Sequence, residues 1–425
     1  MNRSYQAYDV VVVGAGGAGV TAAVAAAQAG AHVALISKDP VGYGDTRISD
    51  GIMARPGLVA GDGPEAFLAD LLAGGGHINQ PDLAQTMAEE CAEATPIAED
   101  FGVLFSRNEQ GQLGPPAVWH TGGHTYRRSL ACLPAAGLAF GQALRGALAR
   151  AGVDVYEETL AFKLVAADNR IQAVAAVRWP GGEPIVLRAG AVVLATGGAG
   201  WLYYPHTDCL RGATGDGMAL AYAAGAELVD MEMVQFIPFA IVHPPSYCGI
   251  LIGEPAVAGP HGVLLDGQGR LLLENVRRQT RAAVTRVMAE AIAAGRVTER
   301  GALLLDMSGN LKSEDGRKHL DYLKRRGRLE VVRRAYGGKA ARGEEPWEVL
   351  PSAHYFMGGL RVDPWGATNL PGLYAAGQVA GGVHGANRLG SVSLAEIFVF
   401  GRRAGLAAAR FALGHPPALP EDEAV

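Results

Sequence analysis

The sequence has 425 residues, 49% of them hydrophobic, and a formal net charge of −5. A chain of this length can bury a large core and divides into two or three domains. Its mild acidity gives no reason to expect nucleic acid or a membrane surface as partner. The polar stretch 1–8 offers no apolar signal segment, so the cytoplasm is the expected compartment.

The first element is the apolar run Asp9-Val10-Val11-Val12-Val13, suited to a buried parallel strand. Gly14-Ala15-Gly16-Gly17-Ala18-Gly19 follows at once, and an alanine-rich helix runs from Val20 to Ala29. A Gly-x-Gly-x-x-Gly placed between strand and helix puts a helix N-terminus where it can hold a pyrophosphate. The run from Val10 to Ile36 is apolar enough to suggest a membrane span. The glycines at 14, 16, 17, 19 and 30 break it into strand, turn, helix and strand. That second strand, 32–37, ends in Ser37-Lys38, where many dinucleotide folds carry an acid for the ribose, which argues against NAD.

Cys91, Cys132, Cys209 and Cys248 lie far apart and form no Cys-x-x-Cys pair. Neither an iron–sulfur cluster nor a structural zinc is expected, so electrons come from a small molecule or a partner. His120 and His124 have i, i+4 spacing, but Gly122 and Gly123 between them disfavour the helix a metal site would need. A second strand-to-glycine turn follows at Gly190-Ala191-Val192-Val193-Leu194-Ala195-Thr196-Gly197-Gly198, and then Thr214-Gly215-Asp216-Gly217. Beyond residue 235 the pattern changes to Pro-rich turns, a hairpin-like stretch 264–270 and a helix near 279–294. The segment 316–343 holds ten of the 37 Lys and Arg against Asp321 and Glu330 alone. It reads either as a solvated helical surface or as a docking patch for an acidic electron carrier or a polyphosphate-bearing acyl thioester. The last strong motifs are Gly372-Leu373-Tyr374-Ala375-Ala376-Gly377-Gln378 and Gly381-Gly382-Val383-His384-Gly385-Ala386-Asn387-Arg388-Leu389-Gly390, ahead of a helix over about 393–413.

These motifs, in this order, resemble the fumarate reductase and succinate dehydrogenase flavoprotein family, which includes L-aspartate oxidase. The resemblance implies an α/β fold: a two-dinucleotide-binding-type FAD domain, Rossmann-like, with an inserted α+β capping domain. The FAD domain would comprise 1–235 and 351–425, and the cap 236–350. The family continues into a helical C-terminal domain not found in this sequence, and any partner surface on it is expected to be missing.

The same resemblance assigns FAD contacts to Gly14, Gly16, Gly17, Ala18, Gly19, Ser37, Lys38, Asp45, Thr46, Ala195, Thr196, Gly197, Asp216, Gly377, Gln378, Ser391, Ser393 and Leu394. Members with covalent FAD have Ser-His-Thr where this chain has Gly44-Asp45-Thr46, so non-covalent FAD is expected. Gln378 replaces an acid that takes a ribitol hydroxyl, and its amide oxygen can still accept that bond.

Four residues are implied for catalysis. Arg281 would act over the flavin as acid–base or electrostatic catalyst, Glu254 in a proton path, and His354 and Arg388 as ligands of a substrate carboxyl. Arg281 could instead be one of several surface arginines of a helix with Arg277, Arg278 and Arg286. Ile237, Phe239, Val257 and Phe356 stand where the family has polar residues, and a second carboxylate against them would be desolvated without partners. The expected reaction is hydride transfer between FAD and a C–C or C–N bond beside one carboxylate or acyl group, with an apolar remainder. Dicarboxylate chemistry, and an electron-transferring subunit without its own substrate, are the alternatives. No metal is expected, and the sequence leaves the oligomeric state open.

Overall fold

The computed structural model describes residues 4–115, 121–132, 135–167 and 169–417. His120 lies outside them. The chain forms two compact units, Met1–Ala199 with Leu210–Val234 and Phe356–Val425, and Gly200–Cys209 with Gln235–Tyr355. The sequence places 1–235 and 351–425 in the first; Gln235, 351–355 and Gly200–Cys209 instead group with the second, the last because it pairs with that unit's final strand through the parallel bridge of Thr207 and Ala353.

In the first unit, β1 (Ser4–Val13) lies parallel between β2 (Val33–Ile36) and the strand Glu183–Leu194, with Val13 opposite both Ile36 and Leu194. Strand 154–156 extends the seven-stranded sheet beyond β2, and strands 170–178 and 159–167 extend it antiparallel on the other side. Leu373–Ala375 pairs parallel with Glu183–Leu194, so a segment from the end of the sequence completes the sheet begun by the N-terminus. Val10, Val11 and Val12 are fully buried, which is why this strand is apolar on both faces.

Helix α1 (Gly17–Gln28) starts three residues before the alanine-rich run, since the turn glycines already belong to its first turn. The helix Val392–Gly414 packs against it, and a Cβ at Gly405 would stand 2.2 Å from the carbonyl oxygen of Ala22. Only glycine permits that approach.

The second unit carries a six-stranded sheet in the order 251–253, 234–241, 347–356, 303–306, 263–265, 271–273. Strands 263–265 and 271–273 form the antiparallel hairpin expected there. The helix Arg281–Ala293 buries Val284, Met288 and Ala291 against this unit's core around Phe239, Leu264 and Trp347. It begins at Arg281 because Thr280 caps it, its hydroxyl accepting the N–H of Ala283 at 3.2 Å.

No helix among the described residues is long and apolar enough to cross a membrane. The basic segment forms helices Glu314–Arg325 and Arg328–Tyr336, and acids just outside or within it pair with several of its cations. Lys318 meets Glu314, Lys339 meets Glu345, Arg342 meets Glu344, and Arg333 and Arg334 share Glu330. Hydrogen bonds from those two arginines hold the Glu330 carboxyl down to about 2.

Candidate functional site

The first unit presents a dinucleotide cradle at the C-terminal ends of β1 and Glu183–Leu194. Gly14 has φ +112°, and a Cβ there would lie 2.3 Å from the Ala195 carbonyl oxygen; a Cβ on Gly19 would lie 1.9 Å from the Gly14 carbonyl oxygen. Gly16, the N-cap of α1, has no heavy atom of the described residues other than its chain neighbours within 4 Å of its would-be Cβ, and no side chain caps the helix. The turn is therefore tightly packed on its inner side and open at the helix start, as a backbone cradle for a pyrophosphate requires. The buried Thr196 hydroxyl, at the end of the second strand, has no hydrogen-bond partner among the described residues. Gly17, Ala18, Ala195 and Leu394 are buried around the cradle, and Gly197 and Gly377 turn the chain with φ of +77° and +73°.

Some of the assigned cofactor residues meet each other. Lys38 forms an ion pair with Asp216 and donates to the Thr214 hydroxyl at 2.9 Å, which in turn donates to Asp216 at 2.6 Å. The Gln378 amide oxygen already accepts the Gly198 N–H at 3.1 Å, so any ribitol hydroxyl would share that oxygen. Asp45 begins the short helix Asp45–Ile48, beside Thr46, and accepts the Leu210 N–H at 2.8 Å. Ser37 is buried at the end of β2.

The turn that carries Arg388 is held by a cluster the sequence reading did not foresee. Arg388 is 5% exposed and donates to the Leu389 carbonyl at 3.0 Å. Ser391 follows in the left-handed region, φ +66°, and its hydroxyl lies 2.8 Å from that of Ser129, which is 2.9 Å from that of Thr121. Ser393, half-buried, sits in the first turn of the helix Val392–Gly414. His124 reaches the Gly390 carbonyl through Nε2 at 2.7 Å and accepts from Arg128 through Nδ1 at 3.1 Å. Arg128 is wholly buried between Asp62 and Asp70, at 2.7 and 2.6 Å. His124 is thus a structural residue of this turn, and no group of three or more His, Cys, Asp or Glu among the described residues could hold a metal.

In the second unit Arg281 is the first residue of its helix, and its side chain is 10% exposed. It forms an ion pair with Glu254 and donates to the Gln235 amide oxygen at 3.0 Å. That burial and pairing exclude the surface-arginine reading. His354, on strand Trp347–Phe356, joins its Nδ1 to Asp208 Oδ2 at 2.8 Å. Asp208 was missed in the sequence because it stands 146 residues away, with no local motif around it.

Phe239 and Val257 belong to the core of the second unit and Phe356 to that of the first, while Ile237 is 1% exposed. Their apolar character is accounted for by packing, which reduces the case for an apolar substrate tail.

A family model described as FAD binding domain matches residues 9–394. One subunit of the fumarate reductase (CoM/CoB) from Methanothermobacter marburgensis is 37% identical over 98% of this chain and 75% of its own length. The chain belongs to the fumarate reductase and succinate dehydrogenase flavoprotein family. L-aspartate oxidase of Mycobacterium leprae is 36% identical, over 96% of this chain and 75% of that enzyme. The FrdA chain of E. coli quinol fumarate reductase superposes with a TM-score of 0.85 at 29% identity, covering 99% of this chain and 73% of that one. This flavoprotein is accordingly an FAD-dependent oxidoreductase, and the glycine cradle, with its open helix start and its unpartnered Thr196 hydroxyl, fits the cofactor.

Proposed function

We propose that the protein transfers a hydride between FAD and a C–C or C–N bond adjacent to a carboxylate or acyl group of a small-molecule substrate. The observation that carries this reading is the buried Arg281, fixed by Glu254 and Gln235. A guanidinium held in this way stabilises charge developing on a substrate acyl or carboxylate group, and Glu254 Oε1 beside Arg281 Nη2 gives a proton somewhere to pass. His354 and Arg388 are the carboxylate ligands in this reading. FAD, held without a covalent link at the open start of the helix after Gly16 and beside the Thr196 hydroxyl, would supply the hydride chemistry.

An apolar remainder on the substrate is supported by the loss of polar residues at 237, 239, 257 and 356. A dicarboxylate is the second reading, favoured by the relatives that are fumarate reductase and L-aspartate oxidase and by the packing of Phe239 and Val257 in the core. Flavin spectral titration with crotonate and fumarate, equal in chain length and differing in a methyl against a second carboxylate, decides between them. Tighter crotonate binding supports the apolar remainder, and tighter fumarate binding with turnover supports the dicarboxylate. Absence of any turnover across saturated and unsaturated acids, amines and acyl thioesters would leave an electron-transferring subunit.

A further inference from the structure

We infer that Asp208 is a positioning residue for His354, fixing which ring nitrogen carries the proton and supplying the counter-charge when the ring becomes a cation. This rests on the reading of His354 as a ligand of the substrate carboxylate. The segment that carries Asp208 is laid along the strand that carries His354. Thr207 and Ala353 form a parallel bridge, Ala353 N–H donates to the His206 carbonyl at 2.9 Å, and Asp208 N–H donates to the Ala353 carbonyl at 3.2 Å. The Thr207 hydroxyl also donates to that carbonyl, at 2.9 Å, and the Cys209 thiol to the His354 carbonyl at 3.2 Å. The two side chains are therefore aligned by backbone pairing, and the contact does not depend on a loose loop.

A carboxylate only accepts hydrogen bonds, so the 2.8 Å contact requires the proton on His354 Nδ1. The other carboxylate oxygen, Oδ1, is buried without a hydrogen-bond partner among the described residues, and the ion pair of Asp208 is with His354. In the neutral ring Nε2 is then an acceptor, which repels a substrate carboxylate. With a second proton, Nε2–H donates to that carboxylate while the positive ring faces Asp208. The pair thereby selects for an acid over its neutral amide, because only the acid is matched to the cationic ring.

The test uses the FAD-loaded full chain and, as probe, the tighter binding of crotonate and fumarate together with its amide. Asp208→Asn keeps an acceptor for Nδ1–H and removes the charge. It is expected to weaken the acid by about tenfold to a hundredfold, the range of one charge-assisted hydrogen bond, and to leave the amide within about twofold of wild type on the same scale. His354→Gln should lose the acid preference as well. If His354→Gln loses it and Asp208→Asn keeps it, the inference is overturned while the function stands. If His354→Gln leaves acid binding intact, or neither acid binds the wild type, the reading of His354 as a carboxylate ligand fails and the inference with it. Histidine-selective 15N NMR of the wild-type holoprotein, with the His354 signal assigned by its loss in His354→Gln, checks the geometry without altering Asp208. A proton on Nδ1 is expected, and a ring that carries its proton on Nε2 alone overturns the inference.

Discussion

His124 donates Nε2–H to the carbonyl oxygen of Gly390 at 2.7 Å, across 266 residues of sequence. Through Arg128, which donates to the other ring nitrogen, that bond ties the turn bearing Arg388 to two buried carboxylates, Asp62 and Asp70. The neutral tautomer of His124 is fixed from both sides, and Phe67 lies stacked on its ring with centroids 6.0 Å apart.

Removing the cation from this cluster should be costly. Arg128→Met leaves Asp62 and Asp70 buried without their partner and is expected to destabilise the protein by about 3–5 kcal/mol. Denaturant unfolding measures this. Adding Asp62→Asn and Asp70→Asn to Arg128→Met should recover part of the loss, because the unpaired charges go with the arginine.

The cluster also gives stability a dependence on acid. Burial pushes the Asp70 carboxyl up, but hydrogen bonds from the Thr125 hydroxyl and N–H and from Arg128 outweigh it and hold the group below its ordinary 3.8. A carboxyl lowered in the folded state adds stability above the unfolded value, and that contribution disappears as pH falls through the folded one. Stability should therefore decline below about pH 4, and Asp70→Asn should flatten that decline in thermal melts recorded at stepped pH.

The two ends of the cradle should respond differently to one methyl group. Gly14→Ala meets a carbonyl at 2.3 Å from a backbone at φ +112° and should destabilise the fold itself. Gly16→Ala meets nothing and should leave the apoprotein melting temperature within the change expected of about 0.5 kcal/mol. Its FAD affinity should nonetheless fall, because the added methyl occupies the open helix start. Melting and FAD titration of the two variants separate these effects.

On the proposal that FAD is bound without a covalent link, acid or heat should release all the flavin into solution. Flavin retained by the denatured polypeptide on a gel would contradict this.

Glu254→Gln should keep its contact with Arg281 while losing the charge and the ability to relay a proton. Turnover is expected to fall by roughly 10²–10⁴ with FAD content unchanged, the range that one general acid–base group contributes. Stopped-flow flavin reduction or reoxidation with the substrate that proves active reads the step directly.

The order of residues alone specifies the parallel strand of valines, the glycine turn after it, the helix that follows and a helix near 279–294. Each of these is set by residues within a few positions: apolar runs, positive-φ turns and a helical pattern. The family is legible in the same way, since ordered motifs survive without knowledge of contacts. Which charges meet is settled by the fold. Lys38 with Asp216, Gln378 with Gly198, His354 with Asp208 and Arg128 with Asp62 and Asp70 are pairs brought together over long separations. The fold also settles that Phe239 and Val257 pack in a core, because an apolar residue looks the same in sequence whether it faces a ligand or its own unit's interior. Local chemistry fixes backbone form, whereas partners of a buried charge depend on the register and layering of distant strands, which no short window of sequence contains.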